Sequence, residues 1–222
     1  MAKPIKKGPL LLAGAALLLA GPLLAPSVLA FPYRAQVGTF DIRSEAPLPT
    51  AEIERVIADA NRRIATSPIA DPQGEKRSIY LTQGGWRWNW LAMQSRKSFA
   101  LTRAMTDYVL VNRSDLAANQ MANRGALGAT RTLSSIIAHE TCHGMERRRY
   151  GRFMSVTHPT WLVEGYCDYV AQESTLDDAR VAQLKARGER HPAMIYYEGR
   201  KRVEAELARN GGNVDKLFAE AK

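Results

Sequence analysis

Read as apolar against polar positions, the chain falls into three parts. From Gly8 to Ala30 the run "GPLLLAGAALLLAGPLLAPSVLA" carries no charge at all. Short mixed segments follow it. "VGTFDIRSE" (Val37–Glu45) predicts a first strand, "RSIYLTQ" (Arg77–Gln83) a second, closed by Gly84-Gly85, and "DYVLVNRSD" (Asp107–Asp115) a third with Val109, Leu110 and Val111 in a row. Between the first two, "TAEIERVIADANRRIA" places Ile53, Val56, Ile57 and Ile64 on one helical face, with Thr50 as N-cap.

The tail has helical period. Thr130 caps a helix running to Gly151, and Pro159 opens a second, "PTWLVEGYCDYVAQES". Two more helices are expected over 177–187 and 191–210, the latter ended by Gly211-Gly212. Strands first and helices afterwards define an α+β domain with a small mixed sheet and a helical C-terminal half. Beyond residue 31 there is no repeat or linker, so residues 31–222 read as one domain. "WRWNW" alternates Trp86, Trp88 and Trp90, which predicts one face packed into the core.

Charge changes the picture at the N-terminus. Lys3, Lys6 and Lys7 precede the apolar run, and Val28 and Ala30 supply small residues for a signal peptidase. Residues 1–30 therefore read as an export signal. The alternative is an uncleaved membrane anchor, since the run is long enough to span a bilayer. Either way the domain is expected outside the cytoplasm, periplasmic or secreted. Removing those three lysines lowers the net charge from +9 to +6. A basic exported domain suits contact with an anionic membrane or cell-wall surface, although scattered arginines also serve solubility alone. Nothing resembles a nucleic-acid-binding motif. Two cysteines, Cys142 and Cys167, read as a disulfide or as two buried thiols.

The candidate chemistry lies in "SSIIAHETCHGME", which uses two of the chain's four histidines. On a helix His139 and His143 project from one face a turn apart, so both imidazoles can meet one ion at about 2 Å. Glu140, one step round, stands beside such an ion and can take a proton from its water. Downstream, "WLVEGYCDYV" offers Glu164, 21 positions after His143, as a third ligand on the next helix. Two histidines, a glutamate and one open position form the donor set of a catalytic zinc site. Asp168 falls on the same face as Glu164, where it can accept the free N–H of a liganding histidine. His158 is a rival third ligand, but it directly precedes Pro159 and suits the helix cap.

"HETCH" followed by "WLVEGYCDY" resembles the gluzincin (thermolysin-like) metallopeptidases over about residues 134–174. The resemblance implies a zincin-like twisted sheet over two active-site helices, one zinc ion held by His139, His143 and Glu164, Glu140 as general base, and Asp168 supporting a ligand. It also implies an edge strand that pairs with an extended peptide or protein substrate, for which "DYVLVNRSD" is the candidate. Gluzincins stabilise the oxyanion with a tyrosine or histidine. Tyr197, Tyr196 and His191 are candidates for that role here, with Tyr197 put forward. A metzincin pattern fits worse, because Glu146 and Arg149 occupy the positions where it needs Gly and His. Two other readings remain open: a binding or scaffold module that keeps the fold without turnover, and an amidase acting on cell-wall peptides.

Overall fold

The structure is a computed structural model that describes residues 20–71, 77–123 and 130–221. Most of the expected export segment lies outside the described residues. Among those described, no helix is long and apolar enough to cross a membrane.

A five-stranded mixed sheet forms the N-terminal part, with strands β1 (Tyr33–Val37), β2 (Phe40–Ser44), β3 (Arg77–Leu81), β4 (Ala100–Thr102) and β5 (Val109–Val111). The spatial order is β1-β2-β3-β5-β4. β2, β3 and β5 run parallel, and β1 and β4 close the two ends antiparallel. The single strand expected over residues 37–45 is therefore half of a hairpin. Gly38 turns the chain at φ 56°, a conformation that glycine takes without steric cost, so that Val37 faces Phe40. A small second sheet pairs β6 (Ser114–Asp115) with β7 (Gln120–Met121).

The expected edge strand needs correction. β5 is interior, paired with β3 on one side and β4 on the other. Its unbroken Val-Leu-Val run follows from burial on both faces. Val109 and Val111 join Ile79, Leu81, Phe40 and Ile42 against helix α1 (Thr50–Ile64) and helix α3 (Leu133–Tyr150). Leu110 and Tyr80 point the other way, onto Trp88, Leu91 and Tyr108. Leu23, Leu29 and Phe31 cover that second face, and Leu23 accepts a hydrogen bond from the Tyr108 hydroxyl at 2.8 Å. The edge strands are β1 and β4, and β4 is the one beside β5.

The tryptophan segment is helix α2 (Trp86–Ala92), and helical phase sorts its residues. Trp88 is 1% exposed and donates its indole N–H to the Arg96 carbonyl, whereas Trp86 and Trp90, one turn apart, are 55% and 36% exposed.

The C-terminal half is helical, as its periodicity predicts. After α3 come the single turn α4 (Met154–Thr157), α5 (Thr160–Ala171), α6 (Asp178–Ala186), α7 (Met194–Asn210) and α8 (Val214–Glu220). Helix α3 is capped by Thr132, whose hydroxyl accepts from the Ser135 N–H. The expected cap, Thr130, lies two residues before the actual one. Pro159 is the N-cap of α5.

Helices α5 and α7 cross at Gly165 and Gly199. A Cβ on Gly165 would lie 2.3 Å from the Gly199 carbonyl carbon, and one on Gly199 would lie 2.5 Å from the Trp161 oxygen. Backbone meets backbone, so nothing can rotate aside. Gly165→Ala is expected to destabilise the fold by about 3 kcal/mol, the upper end for overpacking. A shift in the urea midpoint without a change in slope checks it.

Candidate metal centre

Helices α3 and α5 bring His139, Glu140, His143 and Glu164 together in the lining of a cleft of about 310 Å³, with Asp168 buried behind His139. β4 and the chain just before it, from Lys97 to Thr102, line it together with Tyr196 of α7.

Glu164 Oε2 stands 3.3 Å from His139 Nε2 and 3.6 Å from His143 Nε2. Donor atoms at about 2.0–2.1 Å from a tetrahedral ion lie about 3.4 Å from one another, so these separations fit a single ion. His139, His143 and Glu164 form one group able to hold a metal.

The other nitrogen of each ring is bound to a buried carboxylate. His139 Nδ1 lies 2.8 Å from Asp168 Oδ1, and His143 Nδ1 lies 3.2 Å from Glu146 Oε2. With each Nδ1–H donating to its carboxylate, both Nε2 lone pairs are left for an ion. Asp168 is held in turn by Arg131, whose guanidinium donates to Oδ1 at 2.9 Å. Arg131 also donates to the Glu173 carbonyl, and the Glu173 carboxylate accepts from the Thr132 hydroxyl at 2.6 Å. The start of α3 is thus tied to the end of α5. Glu140 accepts a hydrogen bond from the Thr102 hydroxyl at 2.8 Å, which fixes its carboxylate to the edge strand.

Electrostatics follow from this crowding. Burial disfavours a charged His143 ring, yet the Glu164 charge and hydrogen bonds to Glu146 and Glu164 hold its pKa well above the ordinary 6.5. For His139 burial is likewise outweighed, by hydrogen bonds to Asp168 and Glu164, and its pKa is raised. Burial alone would raise Glu164, but the His143 charge and hydrogen bonds from both rings pull its pKa below the ordinary 4.5. In the metal-free chain the raised imidazoles contribute stability that is whole below about pH 6.5 and is lost as pH rises through their folded values. The lowered Glu164 contributes stability that is whole above about pH 4.5 and is lost as pH falls. A divalent ion must displace the imidazole protons, so its affinity rises with pH over the window in which the metal-free site weakens. The melting-temperature gap between metal-loaded and chelated protein is therefore expected to be small near pH 5.5 and wide at pH 8. The stabilising free energy behind that gap should grow by up to about 1.4 kcal/mol per pH unit for each proton displaced. A gap independent of pH in thermal melts would exclude the imidazoles as ligands.

Tyr197 does not reach this cleft. Its hydroxyl donates to Asp178 Oδ1 at 2.8 Å, and its ring packs beside α6. The tyrosine at the cleft is its neighbour Tyr196, whose ring centre is 6.5 Å from that of His139. Burial raises the Tyr196 pKa, and the Glu164, Asp168 and Glu140 carboxylates raise it further. His191 lines a separate groove of about 1000 Å³ beside Trp161 and Arg202, which contains none of the site residues. His158 is bonded to Thr157 and Met154 and packs on Phe218, away from the ligands.

Thr102, Arg131 and Glu146 were not expected from sequence. Glu146 had a signal, since three residues after His143 is within reach on the same helix. Thr102 and Arg131 arrive from distant segments and had none. Behind His143 lies a second buried group able to hold a metal, formed by Cys142, Glu146 and Cys167. No protein family, no curated protein and no solved structure matches the chain.

Proposed function

We propose that the chain is a zinc-dependent peptidase of the gluzincin type, with a zincin-like disposition of sheet and helices, that hydrolyses peptide bonds outside the cytoplasm. The convergence of His139 Nε2, His143 Nε2 and a Glu164 oxygen, with Glu140 beside them in an open cleft, carries this reading. A closed site with a fourth protein ligand would suit a structural metal instead.

Zinc bound there would polarise the scissile carbonyl and bring the pKa of its water towards about 7. Glu140 takes the proton of the attacking water and delivers it to the leaving amine. Thr102 steadies the carboxylate for both transfers. Tyr196, kept protonated by burial and by its acidic neighbours, is the hydroxyl best situated to donate to the oxyanion of the tetrahedral intermediate. β4 is paired with β5 on one side, and its other edge carries no strand among the described residues. An extended peptide added along that edge would lie over the ligand group, with main-chain hydrogen bonds holding it in register. The amide of a cell-wall peptide would enter by the same route.

Incubation of the purified chain with a mixed peptide library, with and without a chelator, tests the proposal. New peptide termini that vanish with chelator and return with zinc are expected. No chelator-sensitive cleavage of any peptide would favour a binding module over an enzyme.

A further inference from the structure

Cys142 and Cys167 take no part in the proposed reaction, yet both are built into its frame. Cys142 immediately precedes His143 on α3, and Cys167 follows Glu164 by three residues on α5. Both side chains are completely buried. Their sulfurs lie within 4.8 Å of one another, and Cys167 Sγ is 3.4 Å from His143 Nδ1. These two helices supply every residue of the ligand group, and they meet at the two thiols.

We propose that Cys142 and Cys167 form a disulfide that locks α3 to α5 at the level of the ligands. A disulfide needs an S–S separation of about 2.05 Å and Cβ atoms about 3.8 Å apart. The structure records both as free thiols with their sulfurs within 4.8 Å, so closing the bond requires rotation of the two side chains towards each other. The same cluster includes Glu146, so an ion held by the two sulfurs and that carboxylate is the competing reading. Against it, Glu146 is already engaged by His143 Nδ1. An ion there would also crowd the proton that this nitrogen must carry if Nε2 is to serve the first site.

The chemistry balances as a thiol–disulfide exchange. One cysteine thiolate attacks an incoming disulfide, either a small molecule or a thiol–disulfide oxidoreductase, and releases its first thiol. The second cysteine attacks the resulting mixed disulfide, releases the second thiol and closes the Cys142–Cys167 bond. The protein loses two protons and two electrons, which leave on the two product thiols. Because neither sulfur is accessible in the folded chain, the exchange belongs to the stage before α3 and α5 close. Once formed, the bond is shielded from reductants.

The test uses the full chain prepared twice, once exported into an oxidising compartment and once made in a reducing cytoplasm. Each preparation is unfolded in guanidinium with a maleimide and no reductant, and its intact mass is measured. The exported chain is expected to take no label before reduction and two labels after it, and the cytoplasmic chain two labels throughout. Reduction should lower the melting temperature of the exported form by about 5–10 °C, as expected for opening a loop of about 25 residues. Two labels on the exported chain without reduction would overturn the disulfide. If they came with a second equivalent of bound metal, the cluster would be an ion site. A disulfide whose reduction leaves the melting temperature unmoved would overturn the lock. None of these readouts depends on peptide hydrolysis, so this proposal and the peptidase reading fail separately.

Discussion

Glu140→Gln is expected to leave metal content unchanged and to lower kcat/KM on a cleaved peptide by about 10²–10⁴-fold, the range lost with a positioned general base. The substitution is close to isosteric. The amide oxygen of Gln can still accept the Thr102 hydroxyl, so the edge strand keeps its anchor at the site. Glu140 is not a member of the ligand group, which consists of His139, His143 and Glu164. What disappears is the ability to take a proton and return it. Elemental analysis of the variant beside its peptide kinetics separates the two contributions. A variant that keeps its metal and its full rate would sink the proposed mechanism, because no other carboxylate among the described residues is placed to replace Glu140. Glu164 is committed between the two rings, and Asp168 is buried behind His139.

The readings that rest on helical period survive contact with the structure, because a helix turns fixed spacings into fixed directions. His139 and His143 share a face of α3 for that reason, and Glu164 and Asp168 share a face of α5. One reading failed on phase, and the tryptophan reading held only for Trp88. Tyr196 and Tyr197 are adjacent, and consecutive helical residues point about 100° apart. A choice between them requires the packing of α7 on α5, which Gly165 and Gly199 set and the local sequence does not announce. Trp86, Trp88 and Trp90 alternate as a strand would, but the segment is a helix, where i and i+4 align and i+2 opposes them.

Val109–Val111 is a strand as expected, and its assignment to the sheet edge failed for a different reason. An apolar run of three in β5 has no alternation, which marks burial on both faces and therefore an interior strand. The edge that lines the cleft, β4, has only three residues and no periodic signature. Helix α8 had a readable start, since the Asn213 side chain caps it by accepting from the Lys216 N–H. Arg131 is a limit of another kind. Alone in sequence it is one arginine among many, and its role appears only when α5 brings Asp168 to it.

That pairing makes Asp168→Ala the largest expected effect on stability and metal binding together. Asp168 is 0% exposed and Arg131 3%, so removing the carboxylate strands a guanidinium where water cannot reach it. Breaking one side of a buried ion pair costs about 3–5 kcal/mol. The same change frees His139 Nδ1, and loss of such a partner typically weakens metal affinity by about 10–100-fold. The two effects can be told apart because Arg131 shares only the first. In urea unfolding of metal-free protein, adding Arg131→Leu to Asp168→Ala should recover much of the lost stability by removing the unpaired charge. In competition titration with a chromophoric chelator, the double variant should bind metal no better than Asp168→Ala, since His139 still lacks its acceptor. If Arg131→Leu restored affinity as well as stability, Asp168 would act by holding the helices together, and the orientation of His139 would owe nothing to it.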